Sequence, residues 1–264
     1  MTHAPADRAG VHAPHGDIRV VAVRGVPEIH PGDDVAALIG DSLDASAIEL
    51  RPYDVVVVAH KVVSKAEGRV VNVASVIPSP RAIELAESCG FDARHVEVIL
   101  SESTRVLRAE HVLICETRHG LVCANAGVDL SNADSAGVAT LLPLDPDASA
   151  VTLQQAWLRR ASGGPLGVIV SDTFGRPFRQ HGVNVAIGVA GMPAMTPHEG
   201  ERDATGYAIH GSAIATADEV ASAVELVMGK VDGVPAAVVR GLEWAGEGSG
   251  RELIRDPATD LFRR

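Results

Sequence analysis

The run Val55-Val56-Val57-Val58, continued by Ala59-His60-Lys61-Val62-Val63-Ser64-Lys65, decides how the chain is organised. Four consecutive β-branched residues leave no polar face, so they read as a strand buried on both sides. Such a strand needs a layer of structure above it and another below. Residues 60–65 then read as a polar turn into which the strand empties.

Upstream, residues 18–23 form a second β-branched run. A helix follows from Asp33, because Asp33 and Asp34 suit the positive end of a helix dipole and Ala36, Ala37, Leu38 and Ile39 supply an apolar face. Residues 1–17 read as a flexible leader with too little apolar surface to offset its ordering entropy. His3, His12 and His15 give it only an opportunistic affinity for metal. Folded material therefore starts at Ile18, and residues 18–264 read as a single unit.

Downstream, residues 70–73 read as a strand and residues 81–89 as a helix ended by Gly90. Residues 112–115 and 121–124 flank Gly120 as a hairpin. Asp147 reads as the N-cap of a helix over residues 148–161, closed by Gly163 and Gly164. Residues 168–170 are a strand ending at Ser171 and Asp172. Thr216 with Glu219 fits a capping box for a helix that runs to Met228 and stops at Gly229. Residues 234–239 are a late strand, and Gly246, Gly248 and Gly250 read as a flexible tail. Strands and helices mix without strict βαβ alternation, which predicts an α+β fold. GxxxxGK[ST], GxGxxG and GxSxG are all missing, so the chain is neither a P-loop nor a Rossmann protein nor a serine hydrolase of the usual kind.

Composition narrows the partners. The 264 residues are 46% hydrophobic, enough for a packed core. The formal charge is −11, with only 4 Phe, 2 Tyr and 2 Trp, which argues against a basic, base-stacking nucleic-acid surface. The most apolar stretches, residues 55–59 and 183–190, are far too short to span a bilayer. No apolar signal segment opens the chain, so a cytoplasmic protein without membrane contact is expected. Cys89, Cys115 and Cys123 are odd in number and form no CxxC pair, so reduced, buried thiols are expected.

Three clusters could carry chemistry. Residues 125–132, with Asp129 and Asn132 three apart, can turn several oxygens onto a hard cation. In residues 171–179, Asp172 and Thr173 end a strand and precede Arg176 and Arg179, a pairing that suits a metal-bound phosphate. Residues 60–69 hold Lys61, Lys65 and Arg69 against Glu67, a local net charge of +2. Taken singly, each has a plain structural reading: Asp129 and Asp172 as turn formers, the arginines in surface pairs, the lysines on a solvated face. Together they point to a metal-dependent enzyme acting on a phosphate-bearing substrate.

Four segments also carry a resemblance: residues 62–69, 126–132, 171–179, and 217–219 through 225–229. They are similar to the coenzyme F-420-0:L-glutamate ligase (F-420 gamma-glutamyl ligase) family, and the likeness runs in one order from about Val23 to Phe262. The resemblance implies a two-part α+β fold in an intertwined homodimer. The implied activity is GTP-dependent addition of L-glutamate to the lactyl carboxylate of F-420-0 and then to γ-carboxylates, through an acyl phosphate. The resemblance also implies GTP as co-substrate with two divalent ions, Mg2+ or Mn2+, and a K+ ion.

Carried over to this sequence, Asp129 and Asp172 are implied ligands of one ion, with Thr173 reaching a second. Val26, Pro27, Glu28 and Ile29 are implied nucleotide contacts, together with His60, Lys65 and Asn132. Arg176 and Arg179 are assigned, with Lys65, to phosphate or substrate carboxylate. Some members carry Gln where this chain has Lys230; an ammonium has no lone pair for a cation, so Lys230 is expected at phosphate instead. The pattern expected over residues 195–210 is met only in part, by Asp203, Gly206 and Tyr207.

Two other readings are open. A metal-dependent phosphatase using Asp172 lacks the second Asp of its usual motif and would release phosphate without glutamate. A non-catalytic GTP-binding module would bind nucleotide without turnover.

Overall fold

The computed structural model describes residues 10–14, 16–131 and 137–261. The chain opens with β1 (Gly10–His12), β2 (Arg19–Val23), α1 (Val35–Ala45), β3 (Asp54–Ala59), α2 (His60–Ala66) and β4 (Val70–Asn72). Next come α3 (Pro80–Cys89), α4 (Ala93–Ser101), β5 (Ser103–Glu110), β6 (Val112–Thr117), β7 (Val122–Ala124) and β8 (Val138–Thr140). The rest comprises α5 (Pro146–Trp157), β9 (Leu166–Gly175), β10 (Gly182–Ala190), β11 (Thr196–Pro197), β12 (Ala213–Ile214), α6 (Thr216–Met228), β13 (Ala236–Arg240) and β14 (Glu243–Ala245).

The main sheet has five strands in the order β10-β9-β3-β13-β2. Only β3 and β9 pair in parallel; the other neighbours are antiparallel, as an α+β fold allows. The valine run lies at the centre of this sheet. Val56 and Val58 enter one core, with Ile39 of α1, Val62 of α2 and Trp157 of α5. Val55 and Val57 enter a second, with Val220 and Val224 of α6. The period-two alternation of a strand thus feeds two helical layers from four identical residues. A third core, over residues 73–141, packs α3 and α4 against the β5-β6-β7 sheet.

Several local expectations are corrected. The structured chain starts before Ile18: β1 pairs with β14, and Val11 is buried. Residues 60–65 form a helix rather than a turn, because Val62 and Val63 bury directly behind β3. The N-cap of α5 is Asp145, which accepts from the Ala148 N–H, while Pro146 occupies the first turn. Asp147 instead accepts from the N–H groups of Val189 and Gly250, tying α5 to β10 and to the C-terminal turn. Thr216 makes no capping box; its hydroxyl meets that of Thr196 at 2.7 Å. The glycine-rich tail is an ordered turn, in which Ser249 and Glu252 cap each other around buried Gly250.

The helix over residues 81–89 with its left-handed Gly90 and the hairpin around Gly120 form as expected. All three cysteines are free. Cys115 and Cys123 face each other across β6 and β7, and burial raises both thiols above their ordinary range. No helix among the described residues is long and apolar enough to cross a membrane.

Candidate active site

A cavity of about 290 Å³ opens where β3 ends beside β9, and its lining includes Ala59 and Ser171, which are partners in the parallel ladder. One wall is the connection between β2 and α1, which supplies Val26, Pro27, Glu28 and Ile29. Helix α2 contributes His60, Lys61 and Lys65, β9 contributes Asp172 and Thr173, and the end of α6 contributes Glu225 and Met228 followed by Lys230. Nine residues named from sequence therefore meet in one place: the stretch from Val26 through Ile29, His60, Lys65, Asp172, Thr173 and Lys230.

Strand β9 divides its side chains between the two faces of the sheet. Val168 and Val170 belong to the core beneath α2, whereas Ile169 belongs to the core beneath α6. Asp172 continues the first row and Ser171 and Thr173 the second. On the α2 side, His60 Nε2 lies 3.3 Å from Asp172 Oδ1, and His60 Nδ1 lies 3.3 Å from the Ser64 hydroxyl. A carboxylate only accepts, so Nε2 carries the proton that faces Asp172, and in the neutral ring Nδ1 accepts from Ser64. His60 and Ser64 are buried, which holds the imidazole in one orientation. Asp172 Oδ1 also accepts from the Thr173 N–H at 2.7 Å.

Lys65 is buried to 7% exposure, and its ammonium is paired with the carboxylate of Glu28 across the cavity mouth. A buried ammonium needs such a partner, and it stands ready to exchange that partner for an anionic ligand. Lys230 is exposed at the rim and makes no ion pair among the described residues.

Asp129 does not line the cavity. It reaches it through Lys61, whose Nζ lies 2.7 Å from Asp129 Oδ2 and 2.8 Å from the Ser131 hydroxyl. Burial pushes the Asp129 carboxyl up, but the Lys61 ammonium and the Ser131 N–H outweigh it and leave the group below its ordinary value. Arg176 and Arg179 sit in the turn between β9 and β10, away from the lining. The Arg176 guanidinium donates to the carbonyls of Gln180 and His181. Asn132 lies outside the described residues.

Residue reasoning missed three lining groups: Ser171, Asn184 and Glu225. Thr173 Oγ1 donates to Asn184 Oδ1 at 2.8 Å, and Asn184 Nδ2 donates to Glu225 Oε2 at 2.9 Å. One signal existed for Asn184, a lone amide inside the otherwise apolar run of residues 183–190. Nothing local pairs it with Glu225, 41 positions away.

The profile of the family described as F420-0:Gamma-glutamyl ligase matches residues 25–241. Over 251 residues the chain is 45% identical to the coenzyme F420:L-glutamate ligase of Methanothermobacter thermautotrophicus, covering 93% of this chain and 99% of that protein. It is 44% identical over 258 residues to the protein of that name from Methanopyrus kandleri, covering 94% of this chain and all of the relative. The Archaeoglobus fulgidus protein of the same name is 42% identical over 248 residues, covering 94% and 97% of the two chains.

Proposed function

The chain belongs to the F420-0:gamma-glutamyl ligase family, and on that premise we propose that it joins L-glutamate to a carboxylate of F420-0, driven by GTP. The observation that carries the reading is the convergence of Val26 through Ile29, His60, Lys65, Asp172, Thr173 and Lys230 on one cavity. Hydrophobic and backbone groups of residues 26–29 suit a nucleobase, while Lys65 and Lys230 suit its phosphates.

The residues present fit a divalent ion that arrives with a nucleotide. Asp172 and Thr173 offer hard oxygens on the lining, the buried Ser171 hydroxyl has no partner, and Asp129 stands behind Lys61. No group of three or more His, Cys, Asp or Glu that could hold a metal occurs among the described residues. Magnesium is commonly held in this sparse way, by one or two carboxylates with phosphate oxygens and water completing the shell. When bound, such an ion supplies charge screening at the transferring phosphoryl group.

The chemistry requires an activated acyl donor, because a carboxylate is a poor one. Phosphoryl transfer from GTP to the acceptor carboxylate gives an acyl phosphate and GDP. The glutamate amine attacks the carbonyl carbon and loses its proton, and phosphate leaves with the bonding electron pair. Lys65 exchanges Glu28 for phosphate and holds it through transfer. His60 keeps Asp172 oriented. Arg176 and Arg179 receive substrate carboxylate or phosphate from the adjacent turn, and Asn132 contacts the nucleotide. Extension through γ-linkages repeats the same step on the new carboxylate.

The test is a nucleotide panel. With F420-0, L-glutamate and Mg2+ or Mn2+, GTP gives a glutamyl product, GDP and phosphate, whereas omission of glutamate abolishes the product. Phosphate release that continues unchanged without glutamate supports the phosphatase reading instead.

A further inference from the structure

We propose that Asn184 and Glu225 are positioning residues that fix the Thr173 hydroxyl as a lone-pair donor to a cation in the cavity. The inference rests on the ligase reading, which assigns Thr173 to a divalent ion.

The direction of the relay follows from donor inventories. Glu225, as a carboxylate, only accepts, so the Asn184 amide must turn its NH2 toward it. That orientation leaves the Asn184 carbonyl oxygen facing Thr173. The threonine has one hydroxyl proton, and it is spent on that oxygen. Thr173 Oγ1 therefore meets the cavity with lone pairs alone. It can ligate a cation, but it cannot donate to a phosphate oxygen.

Two further observations hold the relay in register. Asn184 is 5% exposed and lies opposite Thr173 in the β9–β10 ladder, so their side chains share one face. Ser222 of α6 donates to the backbone carbonyl of Asn184 at 2.7 Å, which clamps the same residue to the helix that carries Glu225. Ser171, two residues before Thr173 on that face, is 2% exposed and its hydroxyl has no partner. A buried, unpartnered hydroxyl is unfavourable until a ligand completes it, so this face is built to receive one.

Loss of Glu225 as an acceptor frees the amide to reverse. Thr173 would then accept from the Asn184 NH2 and point its proton into the cavity, against a cation. Glu225→Gln keeps an acceptor but adds a donor, so it no longer forces the amide one way and is the intermediate case.

The experiment measures Mn2+ binding to the full chain in the presence of GDP, from the electron paramagnetic resonance signal of free Mn2+, with thermal unfolding recorded in parallel. Glu225→Met is expected to weaken one bound ion by about 10- to 100-fold, as loss of an outer-shell partner does. Glu225→Gln should fall between Glu225→Met and the wild type. Thr173→Val should lose the same ion, and adding Glu225→Met to it should weaken binding no further. Asn184→Leu reads the relay from its other end if Glu225→Met does not fold. Wild-type Mn2+ affinity in Glu225→Met or Asn184→Leu, with the ion lost in Thr173→Val, overturns the relay and leaves the ligase reading standing. Retention of every ion by Thr173→Val overturns the assignment of Thr173 to a cation, and the relay with it.

Discussion

Lys61 Nζ lies 2.7 Å from Asp129 Oδ2, which ties the loop after β7 to the first turn of α2 and links a carboxylate outside the cavity to one of its lining residues. Ser131 closes the contact, donating its N–H to Asp129 Oδ1 at 2.7 Å and its hydroxyl to Oδ2 at 2.9 Å. The pair sets a pH response whose sign is fixed. A carboxyl lowered by folding stabilises the protein above its unfolded value, about 3.9, and loses that contribution as pH falls through the lowered folded value. Lys61→Met removes the ammonium but keeps the burial, so the Asp129 carboxyl rises. Carboxyl titration by NMR should show the rise, and acid unfolding of the variant should begin at higher pH than in the wild type.

Asp172→Asn and Asp129→Asn should each reduce ligation to background while leaving the unfolding temperature close to that of the wild type. Asp172 is held by His60 and by the Thr173 N–H, and an amide of the same shape preserves the packing but not the charge. Initial rates with a parallel thermal melt decide the matter; near-normal turnover in either variant removes that residue from the cation assignment.

Gly188 in β10 faces α5 at a distance that admits no side chain. A Cβ there would stand 2.2 Å from the Pro146 carbonyl oxygen and 2.4 Å from its carbon, both backbone atoms. Gly188→Ala must push strand and helix apart and should destabilise by about 1–3 kcal/mol or more. For a chain of this size that lowers the melting temperature by about 2–4 °C per kcal/mol. An unchanged melting temperature would show that the α5–β10 contact yields easily.

Arg240 of β13 covers Asp54, the fully buried first residue of β3, with bonds of 2.8 and 2.7 Å. Arg240→Ala leaves that carboxylate buried without its countercharge and should cost about 3–5 kcal/mol. Chemical denaturation measures it directly, and a loss below about 1 kcal/mol, the scale of an exposed pair, would show that solvent reaches Asp54.

The centre of the fold was legible because Val55 through Val58 have no polar alternative, and the structure divides them between two cores. Helix α2 was not legible: only Val62 and Val63 in residues 60–65 are apolar, and burial behind β3 makes the helix where propensity does not. Asp147 looked like a cap, but it bonds to Val189 and Gly250, partners that only the tertiary arrangement supplies. In the site, the clusters at residues 60–69 and 171–179 converge because their strands are parallel neighbours, a relation that spacing alone does not encode. Charge singled out Arg176 and Arg179, yet the turn carries them away from the cavity lining. Asn184 and Glu225 carry weak signals separately and become informative only once α6 lies across β10.

If the acceptor carboxylate is phosphorylated before glutamate attacks it, one of its oxygens leaves with the phosphate. F420-0 labelled with heavy oxygen in its lactyl carboxylate, incubated with GTP, L-glutamate and Mg2+ and analysed by mass spectrometry, tests this most directly. One labelled oxygen is expected in the released phosphate for each glutamyl product formed. A glutamyl product accompanied by unlabelled phosphate, or phosphate released at the same rate without glutamate, would contradict it.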